Sequence, residues 1–252
     1  MSSSPSSYKA VLVESAGAPL ALKDVPLGEP SSDEVLVKVI AGGICHMDAI
    51  VQTGYLGNAF PRIPGHEIVG DIVKVGEGVT AFRPGDRVGG SWGHLAVQFA
   101  NRMGFKVVAL SSGDSKRDFA KQLGAHQYID TSTEDPIAAL TALGGAAIIV
   151  ATAPNAKAIS PLVQGLRSLG KLLVLAPVGN IEFDTTAMTR RGASVHTWPS
   201  GNILDAEETL EFAKLHGIKC LIEKFLLKDA DKAMGHMLSG AVRFRSVLVM
   251  DE

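Results

Sequence analysis

The chain has 252 residues, 46 % of them hydrophobic, and a formal net charge of -2. That is enough apolar material to bury a substantial core in one large or two modest domains. The balanced charge gives no basic field for a nucleic-acid backbone, no Lys/Arg run suits an anionic membrane, and no apolar run approaches transmembrane length, so neither nucleic acid nor membrane is expected as a partner.

Residues 1–7 read as a disordered Ser-rich tail that lacks the positive and apolar regions of a signal peptide. Over residues 8–88 short β-rich runs, at 9–13, 34–40 and 68–75, alternate with turn signals such as Pro64-Gly65 and Pro84-Gly85. This pattern predicts a small antiparallel barrel. After Gly93 the period changes: Ala96, Phe99, Ala100 and Met103 fall on one helix face. Residues 105–110 read as a strand, and Asp114 as the cap of a helix that runs to Leu123 and stops at Gly124. Strands follow at 127–129, 147–150 and 171–175, with a helix on Ile159, Leu162, Val163, Leu166 and Leu169 ended by Gly170. Alternating strand and helix over residues 89–201 predicts an α/β region with βαβ crossovers and a doubly wound parallel sheet, whose ligand chemistry lies at the carboxyl ends of its strands. Residues 202–252 add two amphipathic helices, from Asp205 to about His216 and around Ala230, Ala233, Met234, Met237 and Leu238, and a strand at 246–250.

Two cysteines, Cys45 and Cys220, cannot make a disulfide framework, and a lone thiol beside a histidine suits a reducing compartment, so the cytoplasm is expected. Cys45 sits beside His46 and close to Asp48, while His66 precedes Glu67. Separated by 21 residues, Cys45 and His66 must converge through the fold. No second local pair makes a structural zinc finger. Scattered thiolate, imidazole and carboxylate ligands suit a catalytic zinc, which polarises an alcohol or carbonyl oxygen as a Lewis acid. On composition alone, an unrelated Cys and His remain the alternative.

The runs Gly42-Gly43-Ile44-Cys45-His46-Met47-Asp48, Pro64-Gly65-His66-Glu67-Ile68-Val69-Gly70, Val75-Gly76 and Arg83-Pro84-Gly85-Asp86-Arg87-Val88-Gly89 resemble, in order, those of the zinc-dependent medium-chain alcohol dehydrogenases, fungal and yeast type. The resemblance covers nearly every residue of the chain. It implies a GroES-like β-barrel fragment over 8–88, a Rossmann NAD(P)-binding domain over 89–201, and a C-terminal return to the catalytic domain over 202–252. It further implies zinc ligation by Cys45 and His66, with Glu67 as the nearby carboxylate. Asp48 would hold a ligand imidazole, which fixes its tautomer and raises its basicity. His46 and Arg245 would meet the cofactor pyrophosphate, and the activity would be interconversion of alcohols with aldehydes or ketones by hydride transfer.

Two departures stand out. Met47 occupies the place of a Ser or Thr hydroxyl that relays the substrate proton, and a thioether carries no proton to relay. The family segment holding a structural zinc lobe, a further zinc cysteine and the first Rossmann strand is missing, because Arg87-Val88-Gly89-Gly90-Ser91-Trp92 runs directly into Gly93-His94-Leu95. Glu67 is the expected third ligand, and Cys220 reads as a buried small hydrophobe.

Of the phosphate loop G-x-G-x-x-G, Gly90 and Gly93 remain while Val88 takes the first place. The lost strand is the central one of the 3-2-1-4-5-6 order, and residues 87–89 are the candidate substitute. Ser111-Ser112-Gly113 followed by Lys116-Arg117 lacks the acidic ribose ligand of NAD sites, which favours NADP over NAD; a solvated cationic helix face is the alternative. His94, His126, His196, His216 and His236 lie in no motif and read as ordinary surface or core residues. An opened sheet predicts marginal solubility or self-association. The competing readings are a non-catalytic remnant, splice product or incomplete gene model, and a metal-free NADPH quinone or enoyl reductase.

Overall fold

The computed structural model describes residues 6–55, 57, 59–89, 95–198 and 201–250. Its first elements are strands β1 (Ser7–Leu12), β2 (Ala21–Pro26) and β3 (Val35–Gly43), helix α1 (His46–Thr53), and strands β4 (Glu67–Val75) and β5 (Arg87–Gly89). Then come α2 (Leu95–Arg102), β6 (Val108–Ser111), α3 (Arg117–Gln122), β7 (Gln127–Asp130), α4 (Pro136–Ala142), β8 (Ala146–Ala151), α5 (Ala156–Ile159), β9 (Leu166–Val174), α6 (Thr185–Arg191), β10 (Ser194–Thr197) and α7 (Ile203–Leu215). The last are β11 (Ile222–Leu226), α8 (Ala230–Leu238) and β12 (Arg245–Val249). Two compact units result, Met1–Trp92 with Cys220–Glu252, and Gly93–Lys219. Among the described residues no helix is long and apolar enough to cross a membrane.

The first unit is built on a five-stranded sheet in the order β11-β12-β3-β4-β5, with β1 and β2 as a separate antiparallel pair. Gly43 pairs with Glu67 on one side and Val247 on the other, and Arg245 pairs with Ile222. This register gathers the end of β3 and the beginnings of β4, β11 and β12 at one end of the sheet. Behind it, Ala233, Met234 and Met237 of α8 bury themselves against Ile44, with Phe225 and Leu248 alongside. Ile44, one residue before Cys45, is thereby anchored in a core.

The second unit carries two parallel sheets, β6-β7 and β10-β9-β8. Set against the doubly wound order 3-2-1-4-5-6, they are strands 2 and 3 on one side and 4, 5 and 6 on the other. Among the described residues no strand joins β6 to β8. One apolar core still spans the division: Ile149, Ala151, Leu172 and Val174 pack with Ile129, and Val108 and Leu110 of β6 lie against them.

Several elements differ from the sequence reading. Residues 87–89 do not fill the divided sheet, since β5 pairs antiparallel with β4, Val69 to Gly89 and Asp71 to Arg87. An antiparallel neighbour needs only a short connection, whereas insertion into a parallel sheet needs a crossover. The helix expected through Leu169 ends early: α5 gives way to a 3₁₀ segment at Ser160–Gly165, and Leu166 already opens β9. Pro161 has no N–H to continue an α-helical ladder. Asp114 opens a 3₁₀ turn before α3 rather than capping the helix through its side chain, because its carboxylate is taken by Arg117. Residues 202–219 belong to the second unit, where Phe212 of α7 stacks on Phe99 at 5.5 Å.

Candidate metal centre

Cys45 is the N-cap of α1, in extended backbone geometry (φ -131°, ψ 175°). Its Sγ accepts the Met47 N–H at 3.2 Å, and Asp48 Oδ2 accepts the Cys45 N–H at 2.9 Å. A capping box is thus made by a thiol and an aspartate, satisfying N–H groups that the first turn leaves open. The other oxygen, Asp48 Oδ1, accepts Gly65 N–H at 3.0 Å and His66 Nδ1–H at 3.1 Å. Asp48 is only 3 % exposed, and a carboxylate that deep requires such donors. With the proton of the neutral ring on Nδ1, the lone pair of His66 Nε2 faces Cys45 Sγ, 3.0 Å away.

Glu67 completes the group. A carboxylate oxygen of Glu67, Cys45 Sγ and a ring nitrogen of His66 all lie within 4.8 Å of one another. Gly43 of β3 lies close opposite: a Cβ there would overlap Glu67 Oε2 and push the carboxylate aside. Arg245 Nη1 lies 3.1 Å from Glu67 Oε1 and donates to the Ile44 carbonyl at 3.2 Å. Its guanidinium therefore ties the segment before Cys45 to the segment after His66. Burial pushes the Cys45 thiol up, with the negative Asp48 and Glu67 adding to it against the Met47 N–H. A dication held at this point would reverse that penalty and favour the thiolate. Soft sulfur, borderline nitrogen and hard oxygen, with the imidazole oriented from behind, form a donor set that fits zinc.

Cys220 is exposed, not the buried small hydrophobe expected from sequence. It lies where the chain passes between the two units, just before β11.

The cofactor candidates divide between the units. His46 is exposed at the start of α1, and Arg245 is engaged by Glu67 and Ile44 in the first unit. Gly90 and Gly93 lie outside the described residues; Val88 belongs to β5 and so does not form the first residue of a phosphate loop. In the second unit Ser111 ends β6, where Lys116 Nζ stands 3.5 Å from its Oγ. Arg117, read with Lys116 as a candidate 2′-phosphate partner, is engaged within the unit: it pairs with Asp114 and sits 4.8 Å over the Tyr128 ring. The loop after Ser111 rests on Asp130, whose Oδ1 accepts Gly113 N–H at 2.7 Å, Ser132 N–H at 2.9 Å and Ser132 Oγ–H at 2.6 Å. The Ser132 hydroxyl above all, with these amides, holds the Asp130 carboxyl below the usual range.

Sequence reading missed Gly43, Asp130, Glu223 and His236. His236 Nε2 meets Glu223 Oε2 at 2.7 Å, joining α8 to β11. Of the other histidines without a motif, His94 lies outside the described residues, His126 Nδ1 accepts Val107 N–H, His196 meets Ser194 Oγ, and His216 packs on Phe212.

Two family models match the chain, one described as "Zinc-binding dehydrogenase" over residues 92–219 and one as "Alcohol dehydrogenase GroES-like domain" over residues 31–128. The alcohol dehydrogenase patD of Penicillium expansum is 38 % identical over 338 aligned positions, which cover 99 % of each chain. An alignment so much longer than 252 residues means that the relative carries internal residues this chain lacks. Among solved structures, benzyl alcohol dehydrogenase from Acinetobacter calcoaceticus shares the fold with a TM-score of 0.85 at 19 % identity, over 96 % of this chain and 99 % of that one. A protein of Sinorhizobium meliloti 1021 solved with NADP bound matches with a TM-score of 0.82 at 19 % identity, over 97 % and 100 %.

Proposed function

Since the chain belongs to the zinc-dependent medium-chain alcohol dehydrogenases, we propose that Cys45, His66 and Glu67 hold its zinc and that it interconverts small alcohols with aldehydes or ketones using NAD(P). The observation that carries the site is the convergence of a thiol, an imidazole and a carboxylate within 4.8 Å, with Asp48 setting the imidazole from behind. Three protein ligands are the number a catalytic zinc takes. Zinc bound there supplies Lewis acidity toward an alcohol or carbonyl oxygen.

The chain's own residues do the remaining work. Asp48 keeps the His66 proton on Nδ1, which leaves Nε2 as the donor atom. Arg245 neutralises Glu67 and ties the two ligand segments together. Met47, at the first turn of α1, moves no proton, so the substrate proton leaves by another route. His46 and Arg245 toward pyrophosphate, and Ser111 and Lys116 toward the ribose or its 2′-phosphate, are the cofactor contacts, with NADP favoured by Lys116. The cytoplasm suits the free thiols, and a homo-oligomer suits the opened sheet.

One observation favours a second reading, a non-catalytic descendant. Among the described residues the second unit is divided where the fold normally binds its dinucleotide. Metal analysis of the purified protein, NAD(P)H titration and assay with simple alcohols separate the two. Stoichiometric zinc, cofactor binding and turnover establish the dehydrogenase. Zinc without cofactor binding supports the descendant, and neither zinc nor cofactor overturns the proposed site.

A further inference from the structure

Arg245, which meets Glu67, follows closely on a second hydrogen-bonded cluster. Two residues before it, the Arg243 N–H donates to Glu223 Oε1, and the other oxygen of the same carboxylate meets His236 Nε2 at 2.7 Å. His236 lies on α8, whose Ala233, Met234 and Met237 pack against Ile44, and its ring stands 5.7 Å from Phe225. Glu223 thus clamps the approach to β12 between β11 and a helix already anchored behind Cys45. Past that clamp, Arg245 spans the Ile44 carbonyl and Glu67. The register places the residues in line, since Glu223 pairs with Ser246 and Ile222 with Arg245. Glu223 is held ionised, first by the Arg243 amide and then by His236, as its two-sided acceptor role requires.

We propose that Glu223 and His236 are a positioning pair that holds Arg245 across the two ligand-bearing segments and so sets how tightly Cys45, His66 and Glu67 bind a divalent cation. The inference rests on the metal site proposed above. It is tested by titrating Co²⁺ into the full chain and following the thiolate charge-transfer band, with folding checked by circular dichroism. His236→Phe keeps the ring contact with Phe225 and removes the hydrogen bond; it should weaken Co²⁺ binding about tenfold, the size of effect typical of residues that orient metal ligands. His236→Gln restores a donor and should recover most of that loss, which a merely structural defect would not. In an Arg245→Lys background, where the fork is gone, His236→Phe should cost little more, because the two act through one contact. Glu223→Gln provides a milder break of the clamp if His236→Phe fails to fold. Additive losses, or unchanged affinity in a folded His236→Phe or Glu223→Gln variant, overturn the positioning role while leaving the metal site intact. A wild-type chain that binds neither Co²⁺ nor Zn²⁺ overturns both.

Discussion

One buried carboxylate, Asp48, accepts hydrogen bonds from Cys45, Gly65 and His66, and so fixes the cap of α1, the loop before β4 and the imidazole together. Asp48→Asn keeps the shape and removes the charge. We expect zinc affinity to fall about 10- to 100-fold, measured by competition with a chromogenic chelator, with the helix content retained. Gly43→Ala would act from the neighbouring strand by driving Glu67 Oε2 from its place, and such overpacking costs about 1 to 3 kcal/mol of stability as well as metal affinity. Ser246 gives the opposite sign. Its hydroxyl is fully buried with no hydrogen-bond partner among the described residues, so Ser246→Ala should raise the unfolding free energy by about 1 kcal/mol in a urea titration. Cys45, His66 and Asp48 were legible in sequence because they stand in recognisable runs. Glu223 and His236 were not, since they stand 13 positions apart on a strand and a helix and their pairing exists only once β11 and α8 have packed.

At the scale of elements, reading failed where tertiary partners compete for a short segment. Residues 87–89 carry ordinary strand character, and pairing with β4 decided their place. Pro161 was a visible breaker inside an otherwise helical apolar pattern, and local backbone chemistry overrode periodicity there. The βα alternation itself was readable from the apolar runs of β6, β8 and the second half of β9, whereas β10, Ser-Val-His-Thr, carries too little apolar pattern to stand out. The turn from β6 into α3 was not readable, because Asp130, which supports Gly113 from 17 residues away, ends β7 in no motif. That support predicts an acid sensitivity. The folded-state carboxyl lies below the ordinary 3.8, so its stabilisation is present above that value and is lost as pH falls through the lower folded-state value. Thermal midpoints of the wild type should therefore drop on acidification below about pH 4, whereas Asp130→Asn, already lacking the charge, should show a shallower slope. Asp71 and Glu223, also held low, leave part of the slope in place.

For the whole molecule, the decisive fact is that the second unit contains both halves of a doubly wound sheet and, among the described residues, no strand that joins them. The edges of β6 and β8 that face no strand in their own sheets present open ladder groups, and edges of this kind recruit other chains unless short, charged or covered. The buried face of β8 is well satisfied, with Ile149 and Ala151 in the core, but Ile148 and Val150 on its other face are 51 % and 43 % exposed. A strand with an open edge and an exposed β-branched face combines backbone and apolar incentives for association. Sedimentation velocity should therefore show concentration-dependent oligomers near neutral pH. Ile148→Lys with Val150→Lys should shift the distribution toward monomer, because neither side chain contributes to the buried core and a charged edge repels its copy. A sharp, concentration-independent monomeric transition in the unmodified chain would show instead that the shared core of Val108, Leu110, Ile129 and Ile149 closes the sheet well enough without a joining strand.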